Sequence, residues 1–355
     1  MRKDLYCDEE FIDKLICSPP LVSACDENSL RKHQCWTDFC MLLLNSNLHL
    51  NIDEETLTKK IGSNLFYKQL VKRQSDGLCK LSPEGSNALN LDQYSFSSNH
   101  SFLNGLFLVS CNRIKAETLS QKYGILFIPY SDYTSYSFLF KDTGPSIPLK
   151  DTNIYSWDFL RRDKKNICNS MIIIDNFLLN DKDKMIEDLS SIFESLLPDS
   201  LDGITFQLAI YAILNNNNNE DIPIKKRYDD IMDILKEKTK SGLTVSLTIY
   251  KCKHYRFEDP KRFHGRVIIT NDYIINSDGG LDLFKDGKST KLAIVNIVYP
   301  NITKDISWAS NAYEDYLKEA KIEADESELY DENQPYLGGR HIGNKEMRLW
   351  KLIQT

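Results

Sequence analysis

The chain has 355 residues, 41% of them hydrophobic and 27% charged, the profile of a globular protein with room for one large or two modest domains. Its 44 Lys and Arg against 51 Asp and Glu leave a formal charge of −7. That balance excludes a globally basic nucleic-acid surface, so any contact with phosphates must come from a local patch. The start, MRKDLYCDEEFIDKLIC, has no uninterrupted apolar core, and the longest apolar runs, 40–44 and 171–174, are far below spanning length. Nine cysteines at irregular spacings fit reduced thiols better than a disulfide framework. A cytoplasmic protein without membrane insertion is the expectation.

In chain order, 9–17, 30–45 and 53–72 carry apolar positions three and four apart and predict helices, the last opening on an acidic turn, Asp53-Glu54-Glu55. The Gly-, Pro-, Ser- and Asn-rich stretch 75–101 predicts an irregular region. Short strands are expected at 106–110, 124–129 and 136–140, and the turn-rich 142–153 is the best candidate boundary.

After that boundary the rhythm changes. The apolar run SMIIID (170–175) predicts a strand covered on both faces, followed by a helix over 183–197, a strand over 204–210 and a helix over 224–240. The alternating, β-branched 243–250 predicts a strand, and 267–270, 273–275 and 292–298 complete the series. Strand, helix, strand, helix, strand and hairpin make an α/β sandwich with a mostly parallel sheet and an antiparallel part. Three regions are expected: a helical or mixed part over 1–150, an α/β domain over 151–300, and a helix (309–320) with a tail over 301–355 that includes the acidic DESELYDE. No internal repeat of fixed period is visible.

The chemistry-bearing stretch is KRFHGRVIITNDYIINSDGG (261–280). In a strand, His264, Arg266, Ile268 and Thr270 would share one face, with Asn271 at the turn. A neutral imidazole can attack phosphorus, a neighbouring cation stabilises the equatorial oxygens, and an acceptor on the far ring nitrogen fixes the tautomer.

The stretch resembles the phospholipase D superfamily motif, H-x-K-x4-D-x6-G-S-x-N. The match is direct over about twenty residues and loose over 170–300, where the element order suits one half of that fold. The resemblance implies a mixed sheet flanked by helices, with His264 as nucleophile or general acid, Arg266 as phosphate clamp and Asn271 as orienter of the imidazole. Arg266 replaces the family lysine and can grip a phosphate in a bidentate way. Asn271 replaces the aspartate, which removes the carboxylate that would stabilise an imidazolium. The G-S-x-N end is missing, with Ser277-Asp278-Gly279-Gly280 near it but out of register.

The family brings two motifs together, and no second copy is visible here, so turnover would require a homodimer or an unrecognised second half. The other His-x-Arg, His254-Tyr255-Arg256, has no strand pattern around it. Family analogues with degenerate motifs bind phosphoinositides or scaffold proteins, and intact small members are often nucleases; a bacterial defence setting is implied by the same analogy.

Two features bear on ligand binding. Lys251, Lys253, Arg256, Lys261 and Arg262 precede Arg266 in an otherwise acidic chain, opposed only by Glu258 and Asp259 and interleaved with Tyr250, Tyr255, Phe257 and Phe263. Asp175, directly after SMIIID, stands where the carboxyl ends of strands line a ligand crevice, and Ser277 lies near the missing motif end. Cys17, Cys25, His33, Cys35 and Cys40 cluster without a zinc knuckle, so neither a metal nor another cofactor is expected.

Four readings stay open from the sequence: a phosphate site that binds nucleic acid or a phosphorylated partner without turnover, a metal-independent phosphodiesterase, an assembly subunit that binds a protein partner, and a hairpin whose polar residues serve only structure.

Overall fold

The computed structural model describes residues 4–23, 26–77, 80–83, 105–140, 146–149, 154–160, 167–214, 222–240, 242–252, 266–277, 280, 281, 283–285, 288, 289, 294–298, 315, 317, 318, 320, 321 and 328–331. The fold is α/β and is built on two large sheets.

The first sheet contains β1 (Asp4–Asp8), β2 (Asn47–Asn51), β3 (Lys80–Pro83), β4 (Leu106–Val109) and β5 (Phe127–Pro129). All its pairings are parallel, in the order β3-β2-β1-β4-β5. Helices α1 (Glu9–Cys17), α2 (Glu27–Asn45), α3 (Glu54–Ser63) and α4 (Leu65–Ser75) bury Phe11, Leu15, Phe39, Leu43, Tyr67 and Leu70 in one core with Leu5, Cys7, Leu48, Leu50, Leu106 and Leu108. Period-two alternation sends the intervening residues to the other face. There His49, Tyr6, Phe107 and Phe127 form a ladder of stacked rings across β2, β1, β4 and β5, with centroids 4.5, 4.7 and 4.6 Å apart. Such pairs add about 0.5–1.5 kcal/mol each beyond the area they bury.

The N-terminal region is thus mixed, a parallel sheet with helices, and β4 and β5 fall within the strands expected at 106–110 and 124–129. The helix expected over 53–72 is two helices, because Asn64 ends α3 with its N–H on the Lys60 carbonyl and caps α4 by accepting from the Phe66 N–H. The strand expected at 136–140 is part of a kinked 3-10 segment, Tyr130–Phe140. Tyr130, Tyr133, Tyr136 and Leu139 recur every three residues, which matches a three-residue turn. Helix α5 (Arg113–Tyr123) leaves Ile114 exposed and is held by the buried Ser120, whose hydroxyl donates to the Ala116 carbonyl and accepts from the Phe127 N–H of β5.

The second sheet contains β6 (Ser146–Pro148), β7 (Ser170–Ile174), β8 (Phe206–Ala212), β9 (Val245–Lys251), β10 (Val267–Thr270) and β11 (Ile274–Ser277). After the two-stranded β12 (Phe284–Lys285) and β13 (Lys288–Ser289), β14 (Ile294–Val298) and β15 (Glu328–Asp331) complete it in the order β15-β9-β8-β7-β10-β11-β14-β6. β7, β8 and β9 are parallel, linked by α6 (Lys182–Leu196) and α7 (Ile224–Lys238), and the remaining pairings are antiparallel. Both helices bury their apolar stripes (Met185, Leu189, Ile192; Ile231, Ile234, Leu235) in a core with Ile173, Ile210, Ile249, Ile268 and Ile275. β6 lies inside the stretch read as a boundary connector, and β15 inside the acidic DESELYDE, so residues from all three expected regions contribute to this sheet.

The two sheets share one core. Tyr6, Phe107, Phe127 and Tyr123 belong to the same buried cluster as Trp157, Met171 and Phe193. At the junction the Asp202 N–H donates to the Lys122 carbonyl at 2.8 Å, and the Lys122 ammonium pairs with Asp202 at 2.9 Å. No helix among the described residues is long and apolar enough to cross a membrane.

Candidate functional site

Carrying the strand registers one residue past their ends builds a row across the carboxyl edge of β7, β8 and β9. Ile174 lies opposite Val267 of β10, and Val267 opposite Asn276 of β11. The next residues therefore bring Asp175, Arg266 and Ser277 side by side, with neighbouring Cα atoms about 5 Å apart. The Ser277 N–H donates to the Arg266 carbonyl at 3.1 Å, and the Asp175 N–H to the Tyr211 carbonyl at 3.1 Å. Ala212 continues the row to Lys251 at the end of β9, and Glu328 of β15 takes the register position opposite Lys251. Two residues inward on the same strands stand Ile173, Ile268, Ile275, Ile210 and Ile249, so the row lies on the core face that α6 and α7 cover.

Burial divides these residues by task. Ser277 is 1% exposed and Asp175 5%, whereas Arg266 and Lys251 are only partly buried. Asp175 Oδ1 accepts the Phe177 N–H at 2.8 Å and closes a tight turn after β7. Asp175 and Ser277 thus shape the floor around Arg266, and the groups within reach of a ligand are the two cations. In the same turn the Asn176 side-chain oxygen is shut off from solvent and has no hydrogen-bond partner among the described residues.

Asn271 is elsewhere. It follows β10, which Arg266 precedes, so the two stand about 16 Å apart along the strand. Its Oδ1 accepts the N–H groups of Asn169 and Ser170 at 2.9 and 3.1 Å, and its Nδ2 donates to Asn169 Oδ1 at 3.1 Å. Asn169 Nδ2 reaches on to the Tyr123 carbonyl at 3.4 Å. The residue expected to orient an imidazole is a buried strut that ties β10 to β7 and, through Asn169, to the end of α5. An amide suits this place because both an acceptor and a donor are used. His264, Lys253, Arg256, Lys261 and Arg262 lie outside the described residues, as do His254 and the stretch 338–345.

No protein-family model matches the chain, and no curated protein matches it. The functional reading therefore rests on the residues themselves.

A second polar cluster, at the carboxyl edge of the parallel sheet, escaped the sequence reading. Asp8 ends β1 between β2 and β4, where the strand order reverses. Its Oδ2 accepts both the N–H and the hydroxyl of Ser110, at 2.8 and 2.9 Å, and its Oδ1 accepts from the Asn51 side chain at 3.1 Å. All three bonds come from neutral donors that bracket neighbouring strands. The one available signal was an Asp directly after a short apolar run, the same signal that singled out Asp175. Among the described residues no group of three or more His, Cys, Asp and Glu side chains is placed to hold a metal ion. Burial pushes the thiols of Cys35 and Cys40 up to about 12, so both stay protonated and unreactive at neutral pH.

Proposed function

We propose that the carboxyl edge of the second sheet binds a phosphate-bearing ligand, nucleic acid in the first place, with Arg266 as the phosphate clamp and Lys251 as a second cation in the same row. The observation that carries this reading is the partly exposed Arg266 set between Ser277 and Asp175, the latter at the carboxyl end of the parallel strand β7. A guanidinium seated on a buried polar floor is held in place and loses little freedom when it pairs with a phosphate. The acidic net charge makes binding local and salt-sensitive.

Labelled single- and double-stranded nucleic acids titrated with the protein in EDTA test this. Arg266→Ala is expected to weaken binding about tenfold and to lower the slope of log K against log salt by about 0.7–0.9, the signature of one lost phosphate contact. Unchanged affinity and slope would remove the reading. Asp175→Asn keeps the acceptor for the Phe177 N–H but deletes a negative charge beside Arg266. Affinity at low salt should rise about 3- to 10-fold, and the gain should fade as salt screens the charge.

A second reading is favoured by the position of His264 two residues before Arg266. In it the same edge cleaves phosphodiesters without metal, in a homodimer that supplies the second histidine. It expects cleavage that survives EDTA and disappears in His264→Ala. Binding without cleavage, unaffected by His264→Ala, leaves the first reading alone.

A further inference from the structure

We infer that Phe177 is a stacking platform for an unpaired base, so that the ligand of this edge is single-stranded nucleic acid. The inference rests on the phosphate-site reading of Arg266 and adds the residue that selects the strandedness of the ligand.

Phe177 is 61% exposed, although a benzyl side chain ordinarily gains by burial. Its position is nevertheless fixed. Its N–H is held by Asp175 Oδ1 at 2.8 Å, its carbonyl accepts the Asn180 N–H at 3.1 Å, and the Asn176 carbonyl accepts the Ile213 N–H at 3.3 Å. The turn is tied both to itself and to the exit of β8, so the ring is presented on rigid backbone rather than on a loose loop. It also stands two residues from Asp175, at most about 7 Å of chain from the residue opposite Arg266. A fixed, solvent-facing aromatic two residues of chain from the position opposite Arg266 would supply, with that cation, the two contacts that bind unpaired strands, a π face for a base and a charge for its phosphate. A duplex keeps its bases stacked on one another and offers this ring no face. A protein partner would also cover an exposed ring, but the neighbouring cations Arg266 and Lys251 favour the polyanion.

The test uses the full chain, in EDTA at fixed salt, with four labelled probes: single-stranded DNA of mixed sequence, the matching RNA, the duplex, and an abasic strand with the same number of phosphates. Phe177→Ala is expected to weaken both base-bearing single strands about 5- to 100-fold and to leave the duplex and the abasic strand unchanged. Phe177→Tyr should restore single-strand binding. Equal urea midpoints of the variants and the parent exclude a folding effect, as suits an exposed side chain. If Phe177→Ala binds single strands like the parent while Arg266→Ala does not, the platform is overturned and the phosphate site stands. An equal loss on the abasic strand would make the ring structural and overturn the platform too. No binding of any probe by the parent removes the phosphate site and the platform together. Self-association that vanishes in Phe177→Ala, with nucleic-acid binding untouched, would assign the ring to a protein contact instead.

Discussion

Gly124→Ala is expected to destabilise the protein by about 2–5 kcal/mol, a large share of the roughly 5–15 kcal/mol that holds a typical domain folded. Two separate causes add. Gly124 ends α5 at φ +62°, where a side chain crowds its own backbone at a cost of about 1–2 kcal/mol. A Cβ there would also lie 2.4 Å from the Cys168 carbonyl oxygen and 2.9 Å from the Asn169 nitrogen, both backbone atoms that no rotamer change can move. Relief requires the end of α5 and the start of β7 to separate, and with them the junction of the two sheets. Gly203 provides the control: its φ is +63°, but nothing lies within 4 Å of the added carbon. Urea unfolding should show Gly203→Ala losing only the conformational part and Gly124→Ala clearly more. Equal losses would mean that the close approach between α5 and β7 costs nothing.

Asn271→Ala is expected to cost about 3–5 kcal/mol. It strands the backbone N–H groups of Asn169 and Ser170 in a dry interior and removes one donor to Asn169 Oδ1, leaving the Ser170 hydroxyl as the other. Asn271→Asp keeps both acceptor bonds but buries a carboxylate opposite the Asn169 oxygen, so it should cost about as much at neutral pH and less at low pH, where the protonated carboxyl restores a donor. A denaturant series on the three proteins at neutral and low pH checks this. The result also separates two roles for the residue. A strut unfolds more easily when cut, whereas a residue that only orients an imidazole would leave stability intact. An unchanged midpoint in Asn271→Ala would return Asn271 to the site.

The second sheet was largely legible in the sequence, for a physical reason. Its central strands, SMIII, VIIT and VSLTIYK, are apolar or β-branched and as short as strands should be, and α6 and α7 between them carry wide apolar stripes. Burial on both faces leaves such segments no other stable arrangement. In the first sheet β4 and β5 were legible, whereas β1, β2 and β3 were not, because their signals are weak. β2 reads NLHLN and β3 KLSP, too brief and too polar to stand out beside strong helical patterns. β15 is a strand because β9 has a free edge for it to pair with, a property of the neighbour and not of the segment ELYD.

The candidate site divides in the same way. The cation at Arg266, the carboxylate at the end of SMIIID and the turn after β10 follow from residue order alone, since period-two alternation and local turn chemistry act over a few residues. Which of them meet did not follow. Asp175 and Ser277 come from segments about a hundred residues apart in the chain and flank Arg266 only because β7 and β11 pair with β10 in one register. Asn271, five residues from Arg266, is carried by the same strand to the far edge of the sheet. Local forces set what each segment can be, whereas the hydrogen-bond register between distant strands, imposed by burying both faces at once, decides what it stands beside.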